Sequence, residues 1–245
     1  VFRVPLDGEA GIQAARWDQD WQVHALGSPV GVLRAPDLET DPTWAVARRA
    51  AEAFVASGVT VPFFALPTIA SPLNVAVNLF GQEILFAMVA DPEAARRDLR
   101  IITDVLTALH RWYREHIPAK QLQMVACGGR AEPAGYGQLC GCTTQLVSQR
   151  QYAEFIAPLD DELLSVYPHG GMIHLCGAHT QHIPTWRGMR SLRAVQMNDR
   201  AIDDLERYFR ELREDQILYC SPYDKMPAPR ILEITGGHRT VIAAD

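Results

Sequence analysis

The sequence predicts a (β/α)8 barrel, and three observations point there. First, segments with helical periodicity alternate with short apolar runs bounded by turn residues, which implies βαβ units and a parallel sheet. Second, no glycine-rich phosphate fingerprint follows the early runs, as it would in a dinucleotide-binding open sheet. Third, reactive residues collect at the carboxyl ends of several different runs, where barrel enzymes carry their chemistry. These are Cys127, His174 with Cys176, Gln196 to Asp199, and Cys220 to Asp224.

The helices announce themselves by capping. Asp41-Pro42, Ser71-Pro72 and Asp91-Pro92 each place a capping side chain before a proline at the first helical position. The first opens a helix over residues 43–57, stopped by Gly58. The second opens one helix running to Ala90, and the third a long amphipathic helix to His116 with Leu99, Ile102, Leu106, Leu109 and Tyr113 at helical spacing. Ser148 caps a helix that passes Phe155 and Leu163, with Pro158 as a kink, and residues 203–213 form a fifth. The apolar runs between them read as strands: 59–66, 121–127, 172–176, 192–197, 216–220, 230–234 and, more weakly, 240–243. That is fewer than eight, so the barrel is expected to be incomplete at the N-terminus and shortened at the C-terminus. One domain is expected, with residues 1–40 as an irregular lid carrying Trp17, Asp20 and Trp21, and residues 41–245 as the barrel.

Composition bounds the function. A net charge of −6 and a pI of about 5.8 disfavour nucleic-acid binding, which needs a basic surface. No apolar stretch reaches the roughly 18 residues of a membrane span, and the N-terminus shows no signal peptide. The five cysteines are odd in number and read as reduced thiols in a cytoplasmic protein. The first residue is Val1 rather than Met, which reads as a fragment or a processed form.

His174-Leu175-Cys176-Gly177 is the sharpest chemical feature. Residues two apart on a strand face the same side, so His174 and Cys176 both face the barrel interior, and Gly177 permits a tight exit. An imidazole and a thiolate so placed suit Zn²⁺, with a third ligand and an open position completing a catalytic site. Cys220, at the end of a later run, is the expected third ligand; His179 and His182 are the alternatives. The competing account makes Cys176 a buried small hydrophobe and His174 a hydrogen-bonded core residue. Gln196, Asn198 and Asp199 are read as substrate contacts or as the source of a carboxylate that orients His174, against a competing role in helix capping. Tyr223 and Asp224 line the same mouth, and His238, after Gly236-Gly237, is a further substrate-contact candidate. Cys140 and Cys142 read as loop thiols, since their C-x-C lacks the second pair of a structural zinc site.

Several segments resemble one family. Residues 62–81, PFFALPTIASPLNVAVNLFG, are similar to the segment leading into the second long helix of uroporphyrinogen decarboxylases. Asp91-Pro92 followed by LRIITDVLTALHRWY resembles the family's next helix, and SQRQYAEFIAP, residues 148–158, its S-x-x-x-Y-x-x-F-x-x-P helix. Asp18-Gln19-Asp20-Trp21 resembles its D-E-W-G element. The resemblance implies a barrel of this type and two reaction classes. True decarboxylases remove carboxylates from a tetrapyrrole without a cofactor. Their corrinoid-linked relatives bind zinc through H-x-C…C and move a methyl group between a thiol and cobalamin carried by a partner corrinoid protein. His174 and Cys176 match that H-x-C, and Asn78 stands where decarboxylases carry a functional tyrosine. In the family the last zinc cysteine lies on the last strand, whereas Cys220 lies one run early. The expected function is therefore zinc-dependent methyl transfer on a small thiol or methylated substrate. Tetrapyrrole decarboxylation, with Arg130, Arg187 and Arg193 as nearest cations, and binding without catalysis are the alternatives.

Overall fold

The computed structural model describes residues 29–243 apart from 60–63, 66–68, 124, 127–129, 132 and 134. The lid expected over residues 1–40 lies mostly outside the described residues, as do Trp17, Asp20, Trp21 and Cys127. In chain order the elements are α1 (Pro42–Ala56), β1 (Phe64–Ala65), β2 (Ile69–Ala70), α2 (Pro72–Phe80), α3 (Glu83–Ala90), α4 (Pro92–His116), β3 (Leu122–Gln123), β4 (Val125–Ala126), β5 (Arg130–Ala131) and β6 (Gly137–Cys140). They continue with α5 (Gln149–Gln151), α6 (Ala157–Ser165), β7 (Gly171–Cys176), α7 (Ile183–Gly188), β8 (Leu192–Asn198), α8 (Leu205–Glu211), β9 (Ile217–Cys220), α9 (Ala228–Thr235) and β10 (Thr240–Ile242). They divide into two compact units. One comprises α1 to α4 with β1 and β3; the other comprises β2, β4 to β10 and α5 to α9.

In the first unit the caps act as the sequence implies. The Asp41 carboxylate accepts from the Trp44 N–H at 2.8 Å and Asp91 from Ala94 at 3.2 Å. The single helix expected to run to Ala90 is instead two. Gly81, at φ +63°, ends α2, and α3 leaves at 108° to it. α4 carries the unit's core: Leu99 and Ile102 are wholly buried, and Trp44 of α1 meets Trp112 and Tyr113 edge-on at 5.2 and 5.4 Å. No single helix among the described residues is long and apolar enough to cross a membrane.

The second unit is built on a six-stranded parallel sheet in the order β10-β9-β8-β7-β6-β2. The strands follow one another across the sheet in chain order, as they do around a barrel, with no reversal of order. Hydrogen bonds that would close eight strands are not found among the described residues. One face of the sheet is apolar: Leu139, Ile173, Val195 and Leu218 form one row across four strands, each fully buried. The other face is polar, with Gln138, Cys140, His174, Cys176, Gln196 and Asn198.

Two elements differ from expectation. Residues 230–234, read as a strand, lie in α9. Ile231 and Thr235 are its buried residues, a helical spacing of four, and Gly236 at φ +60° closes it. β6 stands where the sequence reads as a loop, because Gly137 and Gln138 lack strand propensity. Packing overrides that propensity. A Cβ on Gly137 would come within 2.4 Å of the Tyr167 ring, so only glycine lets β6 approach there. The kink expected at Pro158 takes the form of a π-turn over Tyr152–Ile156, joining α5 to α6. Proline has no N–H to return to Glu154, and the Ala157 N–H bonds the Tyr152 carbonyl five residues back.

Candidate metal centre

His174 and Cys176 stand two apart at the end of β7 and face the polar side of the sheet. The His174 Nε2 lies 3.1 Å from the Cys176 sulfur. Its Nδ1 lies 3.0 Å from the Gln196 side-chain oxygen, directly across on β8. An amide oxygen only accepts, so Nδ1 carries the proton and Nε2 is turned to the sulfur. Gln196 is itself held by the Gln138 amide of β6, which donates to the same oxygen at 3.1 Å. Sequence reasoning offered a carboxylate for the orienting role; in this site it is played by a buried amide.

The third group is Cys142. Its sulfur, the Cys176 sulfur and a His174 ring nitrogen all lie within 4.8 Å of one another, the one such set that could hold a metal ion among the described residues. Cys142 opens the 3-10 turn Cys142–Leu146 that leaves β6. That turn is fixed from both sides. The Gly141 N–H bonds the His174 carbonyl at 2.9 Å, and the Thr144 hydroxyl bonds the Gly141 carbonyl at 2.8 Å. A Cβ on Gly141 would fall 2.6 Å from Ile173, so glycine is needed for this approach.

Cys220 does not join the group, and strand register gives the reason. Cys220 pairs with Met197, which pairs with Leu175, whereas His174 pairs with Gln196. Side chains alternate along each strand, so Cys220 points to the apolar face, away from His174 and Cys176. It is wholly buried there, and desolvation pushes its thiol up to about 12. Cys142 is what sequence reasoning passed over. The usable signal was spacing: Cys140-Gly141-Cys142 repeats the two-residue interval of His174-Leu175-Cys176 at the end of the neighbouring strand.

His179 and His182 are both wholly buried and serve as braces. His179 Nε2 lies 3.1 Å from the Cys176 carbonyl and its Nδ1 3.0 Å from the Thr144 hydroxyl. His182 Nε2 lies 2.9 Å from the Thr144 carbonyl. Burial drives His179 down to about 4 and lowers His182 too. Together they pin the turn carrying Cys142 to the exit of β7. Gly177, at φ +95°, makes that exit.

The electrostatics of the three groups are shared. The Cys142 thiol is pushed up by its hydrogen bonds with Cys140 and Cys176. Cys176 is drawn down to about 5 by its hydrogen bonds with Cys142 and His174. Burial works against the charged form of His174, but the bond and charge of Cys176 outweigh it and raise the imidazole. Cys176 is thus the anionic centre of the group, with the other two turned toward it.

The remaining candidates lie as follows. Asn198, level with Cys176, accepts from the Ser221 hydroxyl at 2.8 Å. Asp199 is exposed, follows β8 at φ +47°, and its charge opposes ionisation of Cys176. The Tyr223 hydroxyl donates to Asp203, and Asp224 and His238 are exposed. Asn78 is exposed on α2 of the other unit. Arg193 sits near the start of β8, away from its carboxyl end, in an ion pair with Asp215 at 3.0 Å. Arg187 is exposed near the end of α7, and the Arg130 side chain lies outside the described residues.

The donor set suits a tetrahedral zinc ion. Zn–S near 2.3 Å and Zn–N near 2.0 Å imply ligand-to-ligand edges of about 3.5–3.8 Å, within small side-chain motions of the arrangement seen. Three protein donors leave one position for another ligand.

No protein-family model matches the chain, and no curated protein sequence matches it either. Among solved structures, a methyltransferase from Methanosarcina mazei is similar in fold, with a TM-score of 0.61 at 14% identity over 90% of this chain. The chain spans 64% of that protein's length. The chain therefore has an α/β fold with a parallel sheet, similar to the fold of that methyltransferase, and carries a Cys2His group able to hold a metal.

Proposed function

We propose that Cys142, His174 and Cys176 hold a zinc ion, and that the chain is a methyltransferase moving a methyl group between a corrinoid and a small thiol. The observation carrying the reading is the convergence of two sulfurs and one oriented imidazole at the carboxyl ends of β6 and β7. Support comes from the fold likeness to a methyltransferase and from the H-x-C resemblance. On this reading the six-stranded sheet belongs to a (β/α)8 barrel of the uroporphyrinogen-decarboxylase-like type.

Zinc bound there would lower the pKa of a thiol at the fourth position and keep it nucleophilic at neutral pH. The chain's own residues prepare that position. Two thiolates and a neutral imidazole balance the charge of a dication. Gln196 holds the His174 proton on Nδ1 and leaves the Nε2 lone pair free as a ligand. His179 and His182 hold the Cys142 turn against β7. Asn198 and Asp199, beside Cys176 at the end of β8, border the space a substrate would enter. The methyl donor is cobalamin presented by a partner corrinoid protein.

Elemental analysis of the purified protein tests the ligands. About one zinc per chain is expected, lost in Cys142→Ser, His174→Ala and Cys176→Ser and kept in Cys220→Ser. Zinc retained by Cys142→Ser, or lost from Cys220→Ser, overturns the assignment. Methylation of small thiols by methylcobalamin in the zinc-loaded protein tests the reaction, and its absence across a thiol panel would sink the transfer.

A further inference from the structure

We propose that Cys140 and Cys142 are a reversible redox pair, and that closing their disulfide withdraws Cys142 from the group with His174 and Cys176. Three observations carry this. The two sulfurs are 3.7 Å apart, in van der Waals contact, so a disulfide bond of about 2.05 Å requires them to approach by less than about 2 Å. Cys140 pairs across the sheet with His174, which puts it on the same polar face. Both thiols are partly exposed, within reach of a small oxidant, whereas Cys220 is sealed in the core.

Cys140 is not one of the three converging donors, and its sulfur lies against that of Cys142, so their bond would leave the His174–Cys176 contact in place. The oxidant is a small-molecule disulfide. One cysteine thiolate attacks it and forms a mixed disulfide, releasing the first small thiol. The second cysteine displaces the other. Two thiol groups of the chain become one S–S bond, the small disulfide is reduced to two thiols, and the protons are conserved. The pair closes over a single intervening residue, Gly141.

The link to metal content rests on the zinc reading above; the disulfide itself does not. With Cys142 tied to Cys140, only His174 and Cys176 remain, and two ligands are too few for a stable zinc site. Oxidation would thus empty the site and reduction would restore it.

The test uses oxidised glutathione on the whole chain. Zinc released is read with a chromogenic chelator, and the oxidised protein is digested with trypsin. Residues 131–150 form one tryptic peptide holding both cysteines, and residues 151–187 form the peptide with Cys176. The expected result is peptide 131–150 lighter by two hydrogens, loss of most of the zinc, and recovery of both with dithiothreitol and added zinc. Cys140→Ser should bind zinc like the wild type and resist its oxidative release. A cross-link between peptides 131–150 and 151–187 overturns the pairing in favour of Cys142 with Cys176. Cys140→Ser that is zinc-free as purified makes Cys140 a ligand and also overturns it, as does release at the wild-type rate. Wild-type protein that never binds zinc refutes the metal reading, and the peptide masses then judge the pair alone.

Discussion

Gln196 decides which nitrogen of His174 faces the sulfurs. With no protein acceptor on Nδ1 the imidazole can turn or change tautomer, and either removes the Nε2 lone pair from the site. Gln196→Leu fills the space but cannot accept the proton, so zinc affinity should fall about 10- to 100-fold while the fold persists. Chelator competition with circular dichroism as the folding control measures this, and unchanged affinity would show that His174 needs no partner. Gly177 is constrained differently. At φ +95° a side chain is strained, and an added Cβ would lie 2.4 Å from the Gln145 oxygen. Gly177→Ala should cost about 1–3 kcal/mol. Denaturant titration checks that figure, and a cost near zero would mean the β7 exit relaxes freely.

At the scale of elements, the π-turn before Pro158 brings Tyr152 into a buried chain. The Trp186 indole donates to the Tyr152 hydroxyl at 3.0 Å, which donates to Asp160 at 2.9 Å. Burial raises Asp160 from 3.8 to about 7. A carboxyl raised on folding holds a proton that the unfolded chain has released. Its contribution is therefore full below pH 4 and is lost as pH rises through 7, a cost of about 4 kcal/mol by the top of that window. Asp160→Asn keeps an acceptor for Tyr152 without the charge. It should be the more stable protein at pH 8 and indistinguishable near pH 4; urea midpoints at the two values decide, and equal midpoints at pH 8 would place Asp160 among the ionised carboxylates.

The same scale shows what was legible in the chain. The caps at Asp41, Asp91 and Ser148 were, because each joins a capping side chain to a local pattern that needs no tertiary partner. β7 and β8 were, because Met172 to Cys176 and Leu192 to Met197 are apolar runs between turns. α9 was misread because the three Ile and Leu residues in 230–234 serve a buried helix turn or a strand equally well. β6 was invisible because its strand state depends on Tyr167 and β7 packing around two glycines, and Cys142 was missed with it. The Cys220 expectation met a constraint of register: whether a strand-end side chain faces His174 depends on a pairing offset that no single strand encodes.

For the whole molecule, acid is the more telling stress, because the two units carry different sets of titrating groups. His110, 3% exposed on α4, is driven from 6.5 to about 4 by burial. A histidine depressed on folding refuses a proton that the unfolded chain accepts. Stability is intact above pH 6.5 and falls by about 3 kcal/mol as pH drops toward 4. His179, the lowered His182 and the depressed Cys176 thiol impose losses of the same sign on the sheet-bearing unit, while Asp160 and the raised His174 work the other way over nearly the same interval. Among the groups with a resolved shift, the helical unit has no such offset. Hydrogen exchange on chelator-treated protein, corrected for intrinsic rates, should therefore show α4 losing protection between pH 7 and 4.5. His110→Gln, which cannot be charged, should hold α4 protection nearly level across that range. A pH response surviving in His110→Gln would assign it to another group.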